Sequence, residues 1–229
     1  MKVIGLIGGM SYESSADYYR IINQKVNEHF GGYASAKIIL FSVDFSEIER
    51  FQRQGEWEKS ALVLIDAAKK LESIGADMIA LCTNTMHIVA DEIQQSLYVP
   101  LIHIADATAR KIRRKHISKV GLIATQYTME MDFYVKRLKE FGLETEIPHT
   151  EDRKLINDVI FNELVYGTIK IQSKQRFIEI VEELSSRGCE GIILGCTEVG
   201  MLIKEEDTNI PLFDTTQIHC DALVQMAIR

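Results

Sequence analysis

Two short stretches carry the residue types that acid–base or nucleophilic chemistry needs. Leu81-Cys82-Thr83-Asn84-Thr85-Met86-His87 follows an apolar run, and Gly195-Cys196-Thr197-Glu198 follows Ile192-Ile193-Leu194. Each joins a strand-like run to a helix-like one, so each sets a thiol and hydroxyls where a helix begins. Backbone N–H groups are unpaired there and the helix dipole is positive, which favours a small anion such as a carboxylate. The same field stabilises a thiolate, so a cysteine in this place is expected to act as a nucleophile or a base. Two such groups opposed across a carbon acid suggest removal of a proton from one face and its return on the other. Taken singly, a buried cysteine at a strand end is usually inert packing, and Cys189 and Cys220 have no context that says otherwise.

The elements that must position these turns alternate between strand and helix along the whole chain. Lys2 to Ile7 reads as a strand ended by Gly8-Gly9, after which Ser11 is placed to cap a helix carrying Tyr18, Ile22 and Val26. Strands are expected over 37–43, 77–81 and 99–104, a helix over 57–74 ended by Gly75, and a helix over 105–115. The pattern then restarts. Val120-Gly121-Leu122-Ile123-Ala124-Thr125 resembles Ile4-Gly5-Leu6-Ile7-Gly8-Gly9, a helix is expected over 128–141 and a strand over 143–147, and helices over 154–166 and 175–187 flank a turn at Gly167. Gly188 mirrors Gly75, and Ile210-Pro211-Leu212-Phe213 matches Val99-Pro100-Leu101-Ile102. The fold class is therefore α/β, as two pseudo-symmetric Rossmann-like domains with mainly parallel sheets flanked by helices, and the active site is expected in the cleft between them. Residues 1–98 with 208–229 form one expected domain and 99–207 the other.

Setting Gly75 on Gly188 aligns the chain on itself. Ile79 then falls on Ile192, Leu81 on Leu194, Cys82 on Gly195 and Thr83 on Cys196. The twin of Cys196 is thus Thr83. Cys82 stands one residue early, and a one-residue shift at a strand end turns a side chain to the other face.

The 229 residues carry a formal charge of -7, which argues against a nucleic-acid footprint. The basic cluster at Arg110 to His116 reads as a solvated helix end. Four cysteines with no CxxC pair suit reduced thiols and a cytoplasmic location. The first apolar run is too short for a signal segment, and no run approaches the ~20 residues of a membrane helix. His87, His103 and His219 lack i,i+4 spacing on one helix, so no metal is expected. A GxGxxG dinucleotide turn is not met, and no arginine follows either cysteine at phosphatase-loop spacing.

At this point the residues resemble the cofactor-independent aspartate/glutamate racemases, across essentially the whole chain. Gly8-Gly9-Met10-Ser11, Thr83-Asn84-Thr85-Met86-His87 and Gly195-Cys196-Thr197-Glu198 are similar to that family's glycine turn and its two catalytic turns, in order. Ser42-Val43-Asp44-Phe45 and Gln52-Arg53-Gln54-Gly55-Glu56-Trp57 resemble one bacterial branch of it. The resemblance implies no pyridoxal phosphate, no metal, an amino-acid substrate and a homodimer. It also sharpens the departure, since the family's usual first motif is Cys-Asn-Thr and Thr83 stands in that cysteine's place.

The resulting expectation is an unequal pair: Cys196 abstracts the α-proton and Thr83, directly or through water, reprotonates the opposite face. In related racemases the corresponding cysteine attacks the L-enantiomer, which implies that L-amino acids turn over better. Resemblance and position together place Met10, Ser11, Gln52, Thr83, Asn84, Thr85 and Thr197 around the α-carboxylate and ammonium. Glu198 joins that set, either serving the helix dipole or orienting Cys196, and His87 either orients its turn or packs. Arg50, Arg53, Arg153 and Lys154 are candidates for a side-chain carboxylate, because Val165 and Tyr166 replace the relatives' basic residue. The alternatives are a hydantoin racemase or decarboxylase acting on another carbon acid, and a non-catalytic amino-acid-binding module.

Overall fold

Short aliphatic runs that end in a tight turn and lead into amphipathic helices build the molecule, and the computed structural model describes all 229 residues. In chain order the elements are β1 (Ile4–Gly8), α1 (Tyr12–Phe30), β2 (Ile38–Ser42), α2 (Phe45–Gln54), α3 (Trp57–Ser73), β3 (Met78–Leu81), α4 (Ala90–Gln95) and α5 (Ile104–Arg113). Then come β4 (Lys119–Ala124), α6 (Gln126–Glu130), α7 (Asp132–Glu140), β5 (Glu144–Glu146), α8 (Thr150–Asn162), α9 (Ile171–Ser186), β6 (Ile192–Gly195), α10 (Val199–Leu202), β7 (Leu212–Asp214) and α11 (Thr215–Ala227). The fold is α/β, and every strand pairing is parallel. Two compact units form, one from Met1–Ile104 with His219–Arg229, the other from Ala105–Ile218.

In the first unit the strand order is β2-β1-β3. Side chains alternate between its faces as period two requires. Ile4, Leu6, Met78, Ala80 and Cys82 pack with Tyr18, Ile22 and Val26 of α1 and Cys220, Leu223 and Val224 of α11. Ile7, Ile79 and Leu81 pack on the other face with Leu64, Ala68 and Leu71 of α3. Each fully buried Ile or Leu contributes on the order of 1.5–3 kcal/mol, so both faces are anchored by burial. The second unit orders its strands β5-β4-β6-β7.

The strand registers fix the internal repeat. Gly5 pairs with Ile79 as Gly121 pairs with Ile192. The Ile79 amide donates to Pro100 O and the Ile192 amide to Pro211 O, each at 2.9 Å. An acidic side chain closes the strand entrance in both units: Val3 N donates to Asp77 Oδ2 at 2.6 Å, and Lys119 N to Glu190 Oε1 at 3.0 Å. A Cβ on Gly5 would stand 2.7 Å from Ile79 Cδ1, and one on Gly121 2.6 Å from Ile192 Cδ1. Counting four residues on from each isoleucine reaches Thr83 and Cys196, so these two are structural twins.

Three expected elements differ. The strand over 99–104 is a single bridge between Ile79 and Leu101. Pro100 has no N–H to give, and α5 begins at Ile104, so the ladder has no room to extend. The polar stretch after β2 is a helix, α2, capped by Asp44 Oδ1 on Ser46 N and ended by Gly55 at φ 70°. The helix over 128–141 is two helices, α6 and α7, separated by extended Met131.

Candidate active site

In the first unit, β1 and β3 end side by side, so the turns after them become neighbours. Gly9 adopts φ 92°, and a Cβ there would lie 2.2 Å from Val43 O, which restricts the position to glycine. The Gly9 amide donates to Ser15 Oγ, and Ser15 Oγ donates to Ser11 O, both at 2.8 Å. Ser11 caps α1 by accepting from Ser14 N at 3.2 Å. Ser14 then ties the two turns together, its Oγ donating to Cys82 O at 2.8 Å. The sequence singles out neither Ser14 nor Ser15; their signal is the spacing of hydroxyls three and four residues past the cap.

The turn itself divides its side chains cleanly. Cys82 is fully buried on the α1 and α11 face, and desolvation pushes its thiol well above the ordinary cysteine range. An apolar, uncharged environment of this kind disfavours the thiolate. Thr83 is half-buried, while Asn84, Thr85, Met86 and His87 are buried. Gln52, buried on α2, donates from Nε2 to Met86 Sδ at 2.9 Å, which brings α2 to the turn. Met10 is buried in the core on the α3 face, with Ile7 and Leu81. Met10, Ser11, Gln52, Thr83, Asn84 and Thr85 are thus gathered at the carboxyl ends of β1 and β3.

The second unit repeats the arrangement with different chemistry. Ala124 pairs with Gly195, so the turn at Thr125 neighbours the turn at Cys196. Thr125 caps α6. Cys196 is 8% exposed, and its Sγ donates to Glu198 Oε2 at 2.9 Å. Thr197 Oγ1 donates to the same oxygen at 2.5 Å. Burial first, then the charge and hydrogen bond of Glu198, hold the Cys196 thiol well above its ordinary value, and N–H groups at Glu198 and Val199 only partly oppose them. This corrects the expectation of a resting thiolate. Helix α10 has four residues, too short a dipole to outweigh a neighbouring carboxylate. The resting group is a thiol hydrogen-bonded to a buried carboxylate.

Of the candidate cations, Arg153 is engaged elsewhere, and Arg50, Arg53 and Lys154 are exposed. Arg153 donates to Glu130 Oε1 and to Pro148 O, each at 2.8 Å. Arg50 and Arg53 lie 3.9 Å from Glu47 and Glu49 and are exposed. No group of three His, Cys, Asp or Glu residues is arranged to hold a metal ion, all four cysteines are free and buried, and no helix is long and apolar enough to cross a membrane.

The model of the Asp/Glu/Hydantoin racemase family matches residues 7–223. The chain belongs to that family. It is an enzyme, an isomerase of the racemase kind. A "putative Asp/Glu racemase" from Yersinia pestis is 47% identical, with a TM-score of 0.95 and full coverage of both chains. An aspartate racemase homologue from Pyrococcus horikoshii is 39% identical, with a TM-score of 0.89 and again full coverage of both. The broad specificity amino-acid racemase of Bacillus subtilis is 26% identical over 93% of each chain. One repeat thus carries a thiol hydrogen-bonded to a carboxylate, and the other a threonine at the twin position.

Proposed function

We propose that this racemase inverts acidic amino acids, aspartate and glutamate, using its own side chains as acid and base and no pyridoxal phosphate. The observation that carries the reading is the Cys196–Glu198 hydrogen bond set against a threonine at the twin position. Glu198 takes the thiol proton of Cys196, and the thiolate then takes the α-proton of the L-enantiomer. The electron pair left on Cα collapses onto a proton from the Thr83 hydroxyl on the opposite face. Thr83 regains its proton from water, and Glu198 gives its own to water, so the enzyme returns to its starting state. Ser11, Gln52, Asn84, Thr85 and Thr197 are the polar groups offered to the α-carboxylate and ammonium, and Met10 packs beneath them.

A hydroxyl is a poor base near neutral pH but a competent proton donor, so the turnover number is larger from L than from D, with KM larger in the same proportion because the two enantiomers have equal free energy. The engagement of Arg153 by Glu130 leaves that arginine committed to the fold, and the reading therefore covers aspartate and glutamate alike. A homodimer, as the family resemblance implies, and a cytoplasmic location, as four cysteines with no CxxC pair suggest, complete it. The test is NMR in heavy water with each enantiomer of aspartate and glutamate. Deuterium at Cα with inversion, faster from the L-enantiomer, is expected. Equal turnover from both enantiomers would remove the unequal pair, and binding without exchange would make the protein a binding module.

A further inference from the structure

Thr83 is held through its carbonyl, and one side chain does the holding. His87 Nδ1 lies 2.9 Å from Thr83 O, while the Ile104 amide donates to His87 Nε2 at 3.2 Å. Nε2 therefore accepts and carries no hydrogen, which assigns the proton to Nδ1 and makes it the donor to Thr83 O. The ring is buried, with His103 and His219 rings at 4.5 and 5.9 Å between centroids. His219 is itself fixed, with Nε2 2.7 Å from Ile102 O and Nδ1 2.8 Å from Tyr18 Oη. Desolvation and these two neighbouring histidines keep His87 neutral through the ordinary pH range. The imidazole is thus locked in position, rotation and tautomer before any substrate arrives.

We infer that His87 is a positioning residue whose Nδ1–H grips the Thr83 carbonyl and so fixes the face from which the Thr83 hydroxyl delivers its proton. The inference rests on the racemase reading above. It separates two half-reactions that a merely structural histidine would affect together. Proton removal from the L-enantiomer belongs to Cys196 and Glu198, which lie on the other repeat. Delivery to the opposite face belongs to Thr83.

Two substitutions divide the ring's functions. His87→Asn places an amide N–H where Nδ1 stands and keeps the grip on Thr83 O, whereas His87→Gln places its amide where Nε2 stands and keeps only the Ile104 contact. The full-length protein is incubated in heavy water with L-aspartate and L-glutamate, and both D-product and deuterium in the recovered L-substrate are measured. For H87Q we expect D-product to fall on the order of 100-fold, the scale of a misplacement of about 1 Å, while wash-in to the L-substrate persists. H87N should keep a ratio of inversion to wash-in close to that of the unaltered protein. An unchanged ratio in H87Q, or a defect in H87N as large as that in H87Q, overturns the assignment. Failure of the unaltered protein to make D-product would remove the racemase reading itself, a separate outcome from a different sample.

Discussion

Cys82 and Cys196 are the same residue type in similar local sequence, and their surroundings set them apart. The Cys82 side chain packs in an apolar cluster, so replacing it removes a sulfur from a packed face. Cys82→Ala should cost about 1–2 kcal/mol of stability in denaturant melts and leave racemisation within a few-fold. Loss of activity in a folded C82A protein, with Thr83→Ala still active, would reverse the assignment. Glu198 acts on Cys196 in two opposed ways, and that makes its role separable. Its charge and hydrogen bond raise the thiol, so Glu198→Gln lowers the thiol toward its ordinary value, and alkylation by iodoacetamide at pH 8 should speed up. The same change removes the proton acceptor, and racemisation should fall by about 10²–10⁴-fold. Reactivity and activity moving in the same direction would show that Glu198 is not the acceptor. Sequence showed the pair but not the sign, because a helix start promises a low thiol until a buried carboxylate is found 2.9 Å away.

At the scale of elements, the glycines that matter are those with backbone in their way. Gly9 and Gly55 both have positive φ, at 92° and 70°. Nothing lies within 4 Å of a Cβ on Gly55, so Gly55→Ala should cost only about 1 kcal/mol. A Cβ on Gly9 meets Val43 O and the Val43 amide, which belong to the chain just after β2 and cannot swing aside. Gly9→Ala should therefore cost more than about 2 kcal/mol and disturb the Ser11 turn, measured as a drop in unfolding midpoint with a rise in KM. Equal costs at the two sites would show the turn to be pliable. Such turns were legible because glycine followed by a capping serine leaves a clear mark. The helix α2 was not, although Asp44, Ile48, Phe51 and Gly55 supply cap, buried face and stop. Apart from Phe45 its other positions are polar or charged, and that majority masks a narrow buried stripe. The bridge at Leu101 misleads in the opposite direction, since an aliphatic run after a proline reads as a strand whether or not a helix starts three residues on.

At the scale of the molecule, the repeat was the most legible feature because it is written twice, once as strand and glycine spacing and once as register. Less legible was the buried cluster of three imidazoles, His87, His103 and His219, which meet only when Ile102, Ile104 and α11 come together in the first unit. That cluster gives the unit a pH dependence whose sign is fixed. Burial lowers His219 to about 4 and His87 well below 6.5. Below pH 6.5 the unfolded chain takes up protons that the folded histidines refuse, so stability falls as pH drops from 6.5 toward 4 and is flat with respect to these groups above 6.5. For His219 the fall from pH 6.5 to 5 is about 2 kcal/mol, at about 1.4 kcal/mol per pH unit. Trp57, the one tryptophan, lies on α3 in the same unit and reports its unfolding directly. Urea titrations followed by Trp57 fluorescence should therefore show a lower midpoint at pH 5 than at pH 7, and His219→Gln should remove about 2 kcal/mol of that difference. Carboxylates held low by their partners, such as Glu190 and Asp207, lose their contribution only at more acidic pH and leave this window to the histidines. A midpoint independent of pH between 7 and 5 would mean that the imidazoles are hydrated in solution, and the grip of His87 on Thr83 would lose its basis with them.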